Sequence, residues 1–277
     1  TETVIKVTAT ILFIIGPIDL VVGSMPLFME ADVAVENLKE LERRLEAGVT
    51  KTSANPLDPA APFVGLQIKD VKYCYPGDHD ETAFTLGPIN LEVTPGEILF
   101  IVGGNGSGKS TLLKILTGLY YPTTGDILVD GSRLERSDYP QYRQSFSAIF
   151  TDFFLFDRLY GVSPAVYDRA NELLKWLDIS KKTTFDNGGF TNRNLSTGQR
   201  KRLALVAALL EERAVYVFDE IAADQDPEFR RRFYEEILPT VRDQGATVIA
   251  VTHDDRYFKC ADRVVVMEEG QLRPFNS

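Results

Sequence analysis

Residues 103–111 read GGNGSGKST, with EILFIV (97–102) before them and the apolar run LLKILTGL after. This is the G-x-x-x-x-G-K-S spacing between a buried strand and a helix. Gly103, Gly104, Gly106 and Gly108 let backbone N–H groups turn inward around phosphate oxygens, and the helix start adds partial positive charge. Lys109 reaches the β- and γ-phosphates and Ser110 ligates Mg²⁺. Asn105, Ser107 and Thr111 complete the candidate nucleotide loop. A chance glycine-rich turn would have to reproduce both the spacing and the flanks.

Two further strand ends carry chemistry. AVYVFDE (214–220) buries Val215 to Phe218 and then releases two carboxylates. At the carboxyl end of a strand, where α/β proteins place their sites, Asp219 is expected to bind Mg²⁺ through water. Glu220 is expected to polarise the attacking water as general base. ATVIAVTHDD (246–255) ends near His253, at the same end of the sheet, which argues for a γ-phosphate contact. The other histidine, His79 in GDHDE, is read as a solvated loop residue. LSTGQRKRLAL (195–205) opens with small polar residues, turns basic at Arg200, Lys201 and Arg202, and becomes apolar at Leu203 and Leu205. Ser196, Thr197 and Gly198 are not packing residues; the start of a helix facing an anion explains them.

The elements that must hold these residues follow from the rest of the chain. It has 277 residues, 44% hydrophobic and 25% charged, the profile of a folded protein with one large or two small domains. A net charge of −10 argues against a general nucleic-acid binder. Cys74 and Cys260 have no metal-ligand spacing, which fits a reducing compartment without a disulfide framework. The first residue is Thr rather than Met, which points to a fragment or a processed chain.

Residues 4–29, VIKVTATILFIIGPIDLVVGSMPLFM, reach the ~20 apolar residues of a membrane span if Asp19 is accepted inside it. Pro17 and Gly16 are tolerable in such a helix. A signal peptide fits less well, because no basic region precedes the stretch and no small-residue cleavage site follows. A buried soluble helix is the third reading. Length favours the span. In EADVAVENLKELERRLEAG (30–48), Val33, Leu38, Leu41 and Leu45 recur at helical spacing, giving an amphipathic helix that ends at Gly48. Three prolines in 49–62 mark a linker over 48–62, and a new domain begins near Phe63.

Together these motifs resemble the ATP-binding cassette (ABC) ATPases, over residues 63–277. LSTGQ (195–199) is similar to that family's signature, usually LSGGQ. The resemblance implies that two cassettes pair head to tail, the signature of one pressing on the nucleotide of the other through Ser196, Gly198 and Gln199. The cations after it are expected to brace the helix and its neighbours. VKYCYPG (71–77) looks like the adenine-stacking segment, with Tyr75 against the base and Tyr73 in the core. AADQDP (222–227) sits where the family's D-loop follows the catalytic Glu. Asp226 matches its aspartate, while Asp224 and Gln225 are unusual there. His253 matches the switch histidine. Where the family has a Gln that contacts Mg²⁺ and the transporter, SAIFTDFFLF (147–156) has Thr151, followed by Asp152.

The resemblance implies an α/β fold: a P-loop NTPase cassette with a RecA-like, mostly parallel sheet. An antiparallel β portion is expected over 63–100, including a hairpin region in GPINLEVTPGE, and a helical subdomain over about 155–200. ATP and Mg²⁺ are the implied cofactors. LSTGQRKR, Thr-Asp in place of Gln, and AADQDP together look like the cyclic-peptide and siderophore exporters. These are half-transporters of six membrane helices and one cassette, to which the pyoverdine and syringomycin exporters belong. Residues 1–47 then match the last membrane helix and its cytoplasmic extension. The implied partners are a second copy of the chain, the membrane domain of the same polypeptide and a peptide-like cargo, with no nucleic acid. The implied place is the inner membrane, with the cassette on the cytoplasmic side. A soluble repair- or translation-associated cassette, a cassette served by a separate permease, and a regulatory cassette that binds ATP without turnover are the rivals.

Overall fold

A computed structural model describes residues 2–48, 63–75, 84–159 and 165–275. The linker from residue 49 to 62 and His79 lie outside the described residues. The chain divides into two units, Thr1–Lys51 and Thr52–Ser277.

The first unit is one helix, α1 (Glu2–Gly48), long and apolar enough to cross a membrane. Pro17 and Pro26 both lie inside it. Phe13 and Leu20 are 81% and 77% exposed, a surface suited to hydrocarbon rather than water. The hydroxyls of Thr8, Thr10 and Ser24 donate back to the carbonyls of Val4, Lys6 and Val21. That leaves no hydroxyl hydrogen of theirs unpaired, the arrangement an apolar solvent demands.

The second unit begins with β1 (Leu66–Cys74), β2 (Thr85–Val93), β3 (Ile98–Val102) and α2 (Lys109–Leu116). Next come β4 (Thr124–Val129), β5 (Ser132–Arg133), α3 (Tyr139–Tyr142), β6 (Phe146–Ile149), α4 (Ala165–Trp176), β7 (Phe185–Asp186) and β8 (Gly189–Phe190). The chain continues through α5 (Thr197–Leu210), β9 (Val215–Asp219), α6 (Pro227–Arg232), α7 (Leu238–Asp243), β10 (Thr247–Val251), β11 (Arg263–Glu268) and β12 (Gln271–Pro274). One sheet runs β12-β11-β3-β10-β9-β6, parallel except at β12. A second, antiparallel, runs β2-β1-β4-β5.

The parallel sheet is apolar on both faces because both are covered. Ile98 and Phe100 of β3, with Tyr216 and Phe218 of β9, pack into one core with α4 and α5. Their neighbours Leu99, Ile101, Val215 and Val217 point the other way, into a core shared with α2 and the antiparallel sheet. This two-sided burial makes ILFIV and VYVFD continuous apolar runs rather than alternating ones.

One expectation is corrected. GPINLEVTPGE does not fold back on itself. β2 pairs with β1, and residues 94–97 hand the chain to β3 in the other sheet. β3 is buried at every residue, so it belongs in a sheet covered on both faces rather than beside the alternating β2. The 155–200 segment carries α4 and the start of α5. Between α4 and α5 it forms the β7–β8 hairpin, whose turn residues Asn187 and Gly188 both have positive φ, 49° and 77°. Asn-Gly is the pair such a turn selects.

Candidate nucleotide site

Three neighbouring parallel strands deliver the site. Val251 of β10 sits in register with Ile101 of β3 on one side and Asp219 of β9 on the other. The phosphate loop, the two carboxylates and His253 therefore leave the sheet together at its carboxyl end. β6 adds a fourth segment, since Ile149 pairs with Phe218 and Thr151 follows two residues on.

The loop is shaped for an anion. Gly103 has φ 141°, and a side chain there would run into the Met267 carbonyl. Gly108 caps α2 in left-handed backbone, with no side-chain hydrogen bond. At Gly104 and Gly106 a Cβ would meet nothing, so the mouth of the cradle is open. Ser107 is buried, yet its Oγ has no hydrogen-bond partner. An open cradle with an unpaired hydroxyl and an uncapped helix start fits phosphate oxygens. Asn105 lies exposed on the same loop.

Lys109 is buried, and its Nζ donates to the carbonyls of Gly103 and Gly104, 2.9 Å each. Burial lowers its pKa, and Glu220 and Asp219 oppose that shift. Ser110 Oγ donates to Asp219 Oδ2 at 2.8 Å, which brings the two expected Mg²⁺ ligands together. One hydroxyl and one carboxylate suit a cation that keeps waters and shares phosphate oxygens. Thr151 and Asp152 are exposed at the end of β6. Glu220 has φ 54°, a left-handed backbone uncommon outside glycine. Its Oε1 lies 2.8 Å from His253 Nε2. An ionised carboxylate only accepts, so in that state Nε2 carries the proton. His253 follows Thr252, whose buried hydroxyl meets that of Tyr234 at 2.6 Å and accepts from Asp254 N–H at 3.1 Å.

Tyr73 and Tyr75 differ in burial. Tyr73 is buried and stacked on Tyr120, with centroids 5.1 Å apart. Tyr75 stands edge-on to both rings, remains 40% exposed, and its hydroxyl meets Thr111 Oγ1 at 2.9 Å.

The signature segment starts α5. Ser196 is its N-cap, and a capping box links it to Gln199. Ser196 Oγ accepts from Gln199 N–H, and Gln199 Oε1 accepts from Ser196 N–H. Gly198 is fixed by close approach, since a Cβ there would lie 2.6 Å from the Asp224 carbonyl. Of the three cations, Lys201 and Arg202 brace the helix against the segment that starts at Glu220, while Arg200 is exposed. Arg202 donates to Gln225 Oε1 and pairs with Asp226, and Gln225 Nε2 donates to the Gly198 carbonyl. Thr252 and Tyr234 are neighbours of the site that the sequence left unassigned, as it did the contact of Lys201 with the Glu220 carbonyl. For Lys201 a signal existed: it shares the buried face of α5 with Ala204, Leu205 and Ala208, at helical spacing.

A family profile described as ABC transporter matches residues 86–223. The energy-coupling factor transporter ATP-binding protein EcfA1 of Mycoplasma mobile is 33% identical over 219 residues, 75% of this chain and 78% of that protein. The chain belongs to the ABC transporter ATPases. ATP-binding protein SyrD of Pseudomonas syringae pv. syringae is 39% identical over 270 residues. That match covers 94% of this chain, too much to leave out α1, and 48% of SyrD, so this ABC chain spans about half of that relative's length. The structure of a bacterial Atm1-family ABC exporter with ATP bound aligns with TM-score 0.67 over 86% of this chain and 43% of that one. At 21% identity it supports the cassette fold alone.

Proposed function

We propose that this chain is the ATP-hydrolysing cassette and final membrane helix of a half-size ABC exporter. Its cargo is a cyclic peptide or peptide siderophore, moved across the inner membrane from a cytoplasmic cassette. The observation that carries the ATPase part is the pair of contacts at one sheet edge, Ser110–Asp219 and Glu220–His253. The SyrD match, which runs through α1 and the cassette alike, supports the fusion to a membrane domain. LSTGQRKR, Thr151-Asp152 and AADQDP support the cargo class by resemblance.

Lys109 would release the loop carbonyls and turn its ammonium onto the β- and γ-phosphates, while Tyr75 offers its open face to the base. Ser110, Asp219 and, through its hydroxyl, Thr151 would hold Mg²⁺. The bound ion neutralises charge that builds on the phosphate oxygens. Glu220 takes the proton of the attacking water, and His253 orients that carboxylate and faces the γ-phosphate. In a head-to-tail pair of identical chains, Ser196, Gly198 and Gln199 of one copy close on the nucleotide of the other. Hydrolysis then parts the two cassettes, and the membrane helices switch their access.

Phosphate release by Glu220→Gln tests this. Turnover is expected to fall by ~10²–10⁴, the usual worth of a general base, with an ATP-dependent dimer accumulating on gel filtration. Wild-type turnover would sink the assignment of the base. The native protein's mass in its own membrane fraction tests the fusion. A mass near that of the chain alone, washed free of membrane, would leave a soluble cassette or a separate permease instead.

A further inference from the structure

Lys201 is a buried cation that the phosphate chemistry above does not use. Its side chain is 4% exposed, on the second turn of α5. Nζ donates to the main-chain carbonyl of Glu220 at 2.8 Å and lies 2.7 Å from Asp224 Oδ2. An ammonium has three donors, and these contacts engage two of them. Glu220 is the residue that needs holding, because its left-handed backbone persists only where the surroundings impose it. Its N–H reaches Val251 O at a long 3.3 Å. Its carbonyl accepts from the Ala223 N–H at 3.3 Å and, more closely, from Lys201 at 2.8 Å. Asp224, one of the two residues unusual for a D-loop, is the counter-charge that lets the lysine stay buried. Gly198, in the same turn as the N-cap, touches the Asp224–Gln225 backbone and side chain.

We propose that Lys201 is a positioning residue. It fixes the peptide of Glu220, and with it the aim of the general-base carboxylate, and it ties that aim to the signature end of α5. The inference rests on reading Glu220 as the base. In a head-to-tail pair the start of α5 meets the partner's nucleotide, so Lys201 links occupancy of one site to readiness of the other. Only the lysine end of the pair is buried, Asp224 being 53% exposed, so the pair contributes little net stability against an apolar side chain of similar volume at 201. Loss of the pair should therefore show in catalysis more than in folding.

The test is the full chain in lipid nanodiscs, as wild type, Lys201→Met, the charge-neutral Lys201→Met/Asp224→Asn, and Glu220→Gln, with MgATP as substrate. Both Lys201 variants are expected to lose ~10–100-fold in kcat, the scale of a misplaced catalytic group. Their KM for ATP should stay within ~3-fold of wild type, because Lys201 touches no nucleotide-binding residue. The double variant should melt within a few degrees of wild type and still be slow. Should Lys201→Met fail to fold, the double variant carries the test. If kcat recovers together with Tm in the double variant, the lysine is only structural and the inference falls. A silent Glu220→Gln beside a fully active double variant overturns the role of Lys201 alone. A Glu220→Gln protein that hydrolyses ATP normally overturns the base, and this inference with it.

Discussion

The N-terminus of α2 is capped by Gly108 at φ 106° with no side-chain bond, whereas that of α5 is capped by Ser196 at φ −62° and closed by the Gln199 box. Both are helix starts with small residues and free backbone N–H groups in prospect. The first leaves its donors open and adds an unpaired Ser107 hydroxyl, so it is an anion site complete within one stretch of chain. The second has spent Ser196 Oγ and the Gln199 amide on itself, and its remaining contacts run to residues 224–226. Phosphate binding in this fold is thus built locally, while the signature is built as a joint between α5 and the segment after the catalytic carboxylates. A site that serves its own nucleotide needs the first kind. In the proposed head-to-tail pair, a segment that reports on another copy needs the second.

The largest effect that could break this contrast is at Lys109. Lys109→Met is expected to lower turnover by ~100-fold or more and weaken ATP binding by at least ~10-fold, since it removes the ammonium that would turn from the loop carbonyls onto the phosphates. Tm without nucleotide should barely move. Isothermal titration with MgATP and phosphate release check it. Near-normal values would mean that the loop is not the self-sufficient site described.

A smaller effect is expected at Gly198. Gly198→Ala puts a Cβ 2.6 Å from a backbone oxygen that cannot swing aside as a side chain would. The joint must open, at a cost of ~1–3 kcal/mol, the range of overpacking in a tight contact. ATP affinity of the isolated loop should be spared while turnover falls several-fold. Thermal melts and ATP titrations of the same sample separate the two. A variant that melts like wild type and turns over normally would show that the joint does not need glycine.

The smallest effect is in pH. The Phe229 N–H at the start of α6, aided by Arg202, holds the Asp226 carboxyl below its ordinary pKa. A depressed folded-state value contributes stability above the unfolded pKa near ~4, and that contribution is lost as pH falls through the folded value. Acid melts should therefore show a step below pH ~4 that Asp226→Asn removes. Persistence of the step in that variant would assign it to other carboxylates, such as Glu236 and Asp254, which are also held low.

Much of the site was legible because its geometry is local. Glycines, Lys109 and Ser110 at fixed spacing, bounded by a five-residue apolar strand and a helix, specify the loop without reference to the rest of the chain. Asp219, Glu220 and His253 were legible for a related reason: each ends or follows a buried strand, and parallel strands bring their carboxyl ends to one edge. The Asn187–Gly188 hairpin carries a local signal too, since Asn-Gly selects a tight turn with positive φ. The length and apolarity of α1 were also readable, since both depend on composition alone.

What only the tertiary structure decided is who meets whom across long separations. No local rule pairs Lys201 with the carbonyl of Glu220, 19 residues on, or Gly198 with Asp224. Nor does any assign β3 to a different sheet from β2 across a four-residue turn. Those choices are made when both faces of the parallel sheet are covered at once, and burial then selects which polar groups must find one another. The sequence by itself determined a phosphate loop, two carboxylates, a histidine and a membrane-length helix, because these follow from spacing and composition. The folded chain decided that Lys201 meets the Glu220 carbonyl and Arg202 the Gln225 and Asp226 side chains, because a buried charge is tolerated only beside the partners that packing supplies.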